Sequence, residues 1–285
     1  MLVKIPGLLN NSLRTPYWIS LSFIQKCFTG GERIQAIKQH RIFDGKIILE
    51  LIMTDGRVYV QSSERISRFW RGKNFALERL YTQYLPHFSN TRKLFEQSNP
   101  ALILDVGGNI GEFSLYCAKK FPNSQILVFE PDPIVFECLQ RNIEVEKLQL
   151  QITAMKTALS SSNEIQDFYI ATDTADSSLV RPEKDFSRIS VATRRLDGIL
   201  SDKEIRKVDL LKMDAEGFEP EVLMGMGETI SKCMVFALDV SPERNGSNTI
   251  KEVSELLMPL GCDFEHFAGQ GKRRFLLATF LTETK

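Results

Sequence analysis

The stretch from Leu102 to Phe121, LILDVGGNIGEFSLYCAKKF, decides the fold. It opens as an apolar run carrying one acid, Asp105, turns on Gly107, Gly108 and Gly111, and continues with the pattern of a helix. The turn reads Asp105-x-Gly107-x-Asn109-x-Gly111. Glycine accepts left-handed torsions and leaves no Cβ in the way of an approaching ligand. The helix that starts immediately afterwards directs its free N–H groups and dipole at the same spot, which suits a carboxylate or a phosphate.

Working outward, strands and helices alternate from Ala101 onward. ALILDVG, QILVFEP, LQITAMKTAL, VDLLKMDAEG and MVFALDVS read as strands. GEFSLYCAKKF, PIVFECLQRNIEVE, EPEVLMGMGETISK and NTIKEVSELLMPLG read as helices, and SVATRRLDGILSD as a short strand entering a helix. DFEHFA and RRFLLATFL close the chain as expected antiparallel strands. Continuous apolar strands alternating with amphipathic helices predict a doubly wound α/β domain with a mostly parallel sheet covered on both faces.

The first hundred residues differ in character. GKIILELIMTDGRVYVQ gives two strand-like runs around Asp55-Gly56, a dipeptide suited to a type I′ hairpin turn. ERISRFWRGKNFALERLYTQYL then places Phe69, Leu77, Leu80 and Tyr84 at helical spacing. Ser98-Asn99-Pro100 ends that segment, because proline cannot continue a helix. The expected division is a small α+β cap over residues 1–98 and the main domain over 99–285. Aromatic residues Trp70, Phe75, Tyr81 and Tyr84 suit either a lid or plain core.

Bulk composition narrows the function classes. The 285 residues are 43% hydrophobic and 25% charged, and 36 basic residues balance 36 acidic ones. With zero net charge there is no general attraction for nucleic acid or an anionic membrane. GKRR (Gly271 to Arg274) and the Arg194–Arg195 pair read as solvated loops. The five cysteines, Cys27, Cys117, Cys138, Cys233 and Cys262, form no C-x-x-C pair and suggest buried reduced thiols in a cytoplasmic protein. TPYWISLSFIQ is too short to span a bilayer, so no stable membrane insertion is expected.

Two ligand classes compete for the glycine turn. A dinucleotide prefers G-x-G-x-x-G, with its pyrophosphate on the helix start. Here an acid ends the strand, which would repel a pyrophosphate and suit a ligand ammonium such as that of S-adenosylmethionine (SAM). The second strand then ends at Glu130, 19 residues beyond Gly111, about where an acid hydrogen-bonds ribose hydroxyls. Together these favour SAM over a nicotinamide cofactor.

DVGGNIGEFSLYCAKKFPNSQILVFEPDPIVFECLQRNI and LLKMDAEGFEPEVLMGM resemble the two signature blocks of FkbM-type SAM-dependent methyltransferases. Gly108 stands where that family usually has alanine, and VATRRLDGIL resembles an intervening block with Gly198 replacing an acid. The second block keeps Lys212, Asp214, Glu216, Gly217 and Glu219. The likeness covers roughly residues 100 to 245. It implies a class I, Rossmann-like methyltransferase fold with a mostly parallel seven-stranded sheet, and O-methylation of a hydroxyl, often on a sugar or natural product. The expected acceptor is a small molecule or glycan, not a nucleic acid.

On this reading Asp105, Gly107, Gly108, Asn109 and Gly111 hold the methionine end of SAM, and Glu130 holds its ribose, with capping of the next helix as Glu130's simpler duty. Asp132 suits either the adenine edge or an N-cap ahead of Pro133, and Ala158 is placed beside adenine from topology. Lys212, Asp214 and Glu216, two residues apart, would share one face of the fourth strand, with Lys212 paired to Asp214, Glu216 or another acid. A hydroxyl acceptor must lose a proton, so Asp214 and Glu216 are candidate bases, followed by Asp239. His266 is set aside as a surface or satisfied core histidine. No metal is expected; a magnesium site of Asp214, Glu216 and Asp239 lacks supporting spacing. A SAM- or nucleotide-binding relative without catalysis, and a nicotinamide oxidoreductase, are the alternatives.

Overall fold

The computed structural model describes residues 2–5, 17–20, 34–41, 47–53, 58–62, 77–170, 177–181, 187–269 and 271–280. The elements run β1 (Leu2–Ile5), β2 (Tyr17–Ser20), β3 (Ile34–Arg41), β4 (Ile47–Met53), β5 (Val58–Ser62), α1 (Leu77–Tyr84), α2 (Asn90–Gln97), β6 (Leu102–Val106), α3 (Glu112–Lys120), β7 (Gln125–Phe129) and α4 (Pro133–Val145). They continue with β8 (Ile152–Met155), β9 (Ala158–Leu159), β10 (Ile165–Ile170), β11 (Ser187–Arg194), α5 (Leu196–Asp202), β12 (Leu210–Met213), α6 (Glu219–Met224), β13 (Val235–Asp239), α7 (Ile250–Leu257), β14 (Cys262–Ala268) and β15 (Arg274–Phe280).

The main sheet has seven strands in the order β14-β15-β13-β12-β6-β7-β8. Only β15 runs antiparallel to its neighbours. This is the mostly parallel, doubly wound arrangement expected of the repeating strand–helix pattern. The four residues of β12 and the five of β13 are all buried, as an apolar run sandwiched between helix layers must be. One core layer gathers Leu104, Leu127, Leu196, Leu211, Phe236 and Leu276; the other gathers Ile103, Phe113, Val128, Leu210, Ala237 and Phe275. Chain order reverses between β6 and β12, so the crevice at their carboxyl ends is the switch point where such sheets bind ligands.

The expected third strand is divided. β8 stays in the main sheet, whereas β9 pairs with β11 in a smaller sheet with β10. The bend at Thr157 separates them, held by its hydroxyl donating to the Ala192 carbonyl at 2.9 Å. The apolar run LQITAMKTAL is continuous in sequence, so nothing local announced the change of sheet.

β4 and β5 pair antiparallel, as the hairpin reading expects, and extend to β3. The Asp55-Gly56 turn lies outside the described residues, as do Phe69, Trp70 and Phe75. α1 and α2 are not peripheral: Tyr81, Tyr84, Leu85 and Phe95 share the core layer of Phe113 and Phe275. Packing is therefore continuous across residue 98. Among the described residues no helix is long and apolar enough to cross a membrane, and Cys117, Cys138, Cys233 and Cys262 are buried.

Candidate active site

The glycine turn is built by internal packing. Gly107 takes φ of 70°, and a Cβ there would lie 1.9 Å from the Asp214 carbonyl oxygen. The absent side chain thus lets the ends of β6 and β12 touch. Gly108, in the family's alanine position, would drive a Cβ to 2.1 Å from Cγ1 of Val128. The glycines accommodate the protein's own backbone and core, where sequence reasoning gave that space to a ligand. Gly107 and Gly108 both donate to the Phe129 carbonyl, at 3.0 and 3.1 Å. Asn109, at φ of 50°, donates its N–H to Glu130 Oε2 at 2.9 Å, while its buried Oδ1 has no hydrogen-bond partner. Gly111, at φ of 95°, stands at the N-cap of α3, and no side chain caps that helix start.

Asp105 and Lys212 sit in register on adjacent strands. Lys212 Nζ lies 2.9 Å from Asp105 Oδ1 and donates to the carbonyls of Gly107 at 2.9 Å and Val106 at 3.3 Å. Asp105 Oδ2 accepts from Ser114 at 2.6 Å. Asp105 is 0% exposed and, held by Lys212 and Ser114, braces the turn from beneath. Burial opposes the charge on Lys212, but Asp105 and then Asp214 outweigh it and hold the ammonium above its ordinary value. Lys212 also lies over the rings of Tyr84 and Phe113.

The expected trio does not share a strand face. β12 ends at Met213, and the chain passes into a loop in which Glu216 and Gly217 take φ of 50° and 91°. The loop is fastened by Glu219. Its Oε1 accepts from the Ala215 and Gly217 amides, both at 3.1 Å, and its Oε2 accepts from Thr249 at 2.9 Å. Burial raises the Glu219 carboxyl to about 7. Ser178 adds a hydrogen bond to the Glu216 carbonyl at 2.8 Å, and Glu216 itself is buried.

Asp214 faces the crevice with its side chain 19% exposed. Its Oδ2 accepts from the Tyr84 hydroxyl at 2.5 Å, whereas its buried Oδ1 has no hydrogen-bond partner. Burial first, and Asp214 second, push the Tyr84 phenol well above its ordinary value, which keeps it a donor. Arg273 Nη1 reaches Asp239 Oδ2 at 2.6 Å and Asp214 Oδ2 at 3.9 Å. Asp239 is 0% exposed, and its other oxygen accepts from the amide and hydroxyl of Ser241. Burial, then Asp214, raise Asp239 to about 6. Glu243, whose carboxylate oxygen lies within 4.8 Å of those of Asp214 and Asp239, rises to about 9, from burial and then the same two acids.

Several expected residues have other or additional duties. Glu130, at the end of β7, also accepts from the Asp132 amide at 2.9 Å. Asp132 caps α4, accepting from Ile134 and Val135 at 2.9 and 3.2 Å. Ala158 packs with Phe168 and Val191 in the small sheet. His266 is exposed and stacks on Phe264, away from these groups. Arg273 corrects the reading of GKRR as solvated: β15 runs antiparallel, so its start meets the end of β13. Glu243 was missed, and its only sequence signal is an acid four residues beyond Asp239.

Comparison with known proteins adds the following. Residues 105–265, more than half of the chain, match the methyltransferase FkbM domain. The methyltransferase sdnD of Sordaria araneosa is 33% identical over 161 residues, covering 46% of this chain and 62% of that protein, so the chain spans about three fifths of that relative's length. The 2-O-methyltransferase NoeI of Sinorhizobium fredii is 28% identical over 183 residues, covering 58% of this chain and 73% of NoeI. The hexuronic acid methyltransferase AglP of Haloferax volcanii is 26% identical over 210 residues, covering 73% of this chain and 80% of AglP.

Proposed function

The chain belongs to the FkbM methyltransferase family, and from this we propose that it is a SAM-dependent methyltransferase acting on a hydroxyl of a sugar, glycan or natural-product small molecule. The names of NoeI and AglP support a carbohydrate-like acceptor. The scattered, buried cysteines suit a reducing, cytoplasmic site of action.

The residues at the turn fit SAM. Asn109 Oδ1 is a buried acceptor lacking a protein partner, and the start of α3 lacks a side-chain cap. Together they suit an amino-acid tail that carries an ammonium and a carboxylate. Glu130 ends the neighbouring strand and fits the ribose hydroxyls, with Asp132 and Ala158 assigned to the adenine end. Asp105 acts indirectly, by holding Lys212 against the carbonyls of Val106 and Gly107. Bound SAM supplies a methyl group made electrophilic by its sulfonium.

The observation that carries the reading is the contact between Gly107 and Asp214, which joins the cofactor turn to a carboxylate with an unpartnered oxygen. Asp214 is assigned as the base. Its carboxylate would take the proton that the acceptor hydroxyl gives up, while the Tyr84 hydroxyl holds Oδ2. Asp239 is enclosed and committed to Arg273 and Ser241, so it orients Arg273. A carboxylate is a weak base toward an alcohol, so proton removal is late and concerted. Alignment of acceptor and methyl can supply a large share of the barrier reduction, about 7–11 kcal/mol for well-oriented reactants.

Incubation with SAM and a panel of nucleotide sugars, oligosaccharides and polyketide-like alcohols tests this reading by mass spectrometry. One acceptor should gain one methyl, and Asp214→Asn should abolish the gain without loosening SAM. Full turnover in Asp214→Asn would remove Asp214 from the role.

A further inference from the structure

α4 carries a buried asparagine in its last turn, Asn142, 1% exposed. Asparagine is a poor helix former, because its amide competes for backbone hydrogen bonds. Here that amide is satisfied by three partners outside the helix. Oδ1 accepts from the Val60 N–H at 2.7 Å, and Nδ2 donates to the carbonyls of Val60 at 3.1 Å and Ile110 at 2.9 Å. One side chain therefore joins β5 of the N-terminal sheet to the middle of the glycine turn.

Ile110 lies between Asn109 and Gly111, both at positive φ, 50° and 95°. Its carbonyl direction thus fixes how the two left-handed residues present Asn109 and the start of α3. The side chain of Ile110 is held by the same assembly, buried with Ile48, Val60, Val135 and Cys138. Ile48 and Val60 come from the N-terminal sheet, so turn, helix and sheet form one apolar cluster around one amide.

We infer that Asn142 is a positioning residue for the cofactor, clamping the N-terminal sheet onto the glycine turn so that the turn is preorganised for SAM. This rests on the assignment of SAM to that turn. Coupling between two sites is reciprocal. If the clamped sheet favours SAM, bound SAM must tighten the clamp, and the Val60 amide reports it because its N–H is the one held by Asn142.

The test has two arms on the full chain. Calorimetry with SAM on Asn142→Leu, which keeps the bulk and loses the hydrogen bonds, should show binding weakened roughly five- to tenfold, the equivalent of about one net hydrogen bond. Val253→Ala, in α7 and equally buried, serves as a control that lowers Tm while leaving SAM affinity unchanged. Hydrogen exchange on the unaltered protein should show the Val60 amide slowed by SAM, and this arm stands if Asn142→Leu fails to fold. Undiminished SAM affinity in Asn142→Leu, affinity loss in both variants that tracks Tm alone, or unchanged exchange at Val60 would overturn the inference. Failure of the unaltered protein to bind SAM at all would instead overturn the cofactor assignment.

Discussion

The Tyr84 hydroxyl donates to Asp214 Oδ2 at 2.5 Å across 130 residues of chain, from a helix N-terminal to the whole sheet. That bond ties α1 to the carboxylate proposed as the base and leaves its Oδ1 without a hydrogen-bond partner. Lys212 lies over the Tyr84 ring at 5.2 Å, so the same side chain also walls in the buried ion pair.

Tyr84→Phe should therefore lower both stability and turnover. Loss of a buried hydrogen bond to a charged partner costs about 1.5–3 kcal/mol, and the same amount on the barrier is roughly a ten- to hundredfold fall in kcat. KM for SAM should hold. Denaturant unfolding and steady-state kinetics separate the effects, and unchanged kcat would show that Tyr84 is core only.

Breaking the Asp105–Lys212 pair from one side should be worse than removing both partners. Lys212→Met leaves Asp105 buried and uncompensated at a cost of about 3–5 kcal/mol. The double variant Asp105→Leu with Lys212→Met removes both charges and should recover part of that loss in urea unfolding. A double variant no more stable than Lys212→Met alone would contradict the pairing.

Gly108→Ala should destabilise, although the family usually carries alanine there, because Val128 Cγ1 occupies the space. Overpacking of this kind costs about 1–3 kcal/mol. Gly108→Ala combined with Val128→Ala should be more stable than the two separate losses predict. Simple additivity in thermal unfolding would mean that the two positions do not compete for volume.

The pH dependence of stability has a definite sign. Glu219, Asp239 and Glu243 have folded values raised to about 7, 6 and 9, chiefly by burial. A raised carboxyl favours the protonated folded state, so its contribution is fully present below the ordinary carboxylate range of about 4. It is lost as pH rises through the folded values, between roughly pH 4 and 9. Glu243→Gln, permanently neutral, should flatten the upper part of this fall in Tm. An unchanged profile between pH 7 and 9 would show that Glu243 is not held protonated.

Much of this was legible in the sequence because it is local. Apolar runs bounded by turn residues marked the strands, Pro133 after Asp132 marked the start of α4, and the glycine spacing marked the turn. What could not be read was register across the sheet. Lys212 finds Asp105 only once β12 is known to lie beside β6, and Arg273 turns inward only because β15 runs antiparallel against β13. The spacing of Lys212, Asp214 and Glu216 misled because the strand ends after Met213, where the left-handed backbone at Glu216 and Gly217 breaks the two-residue alternation.

Calorimetric titration of SAM into the protein and into Glu130→Ala and Asn109→Ala is the most direct test of the central claim. One SAM should bind per chain in the unaltered protein, with markedly weaker binding in both variants and no binding of NAD. Equal SAM affinity in all three proteins, or binding of NAD in place of SAM, would contradict it.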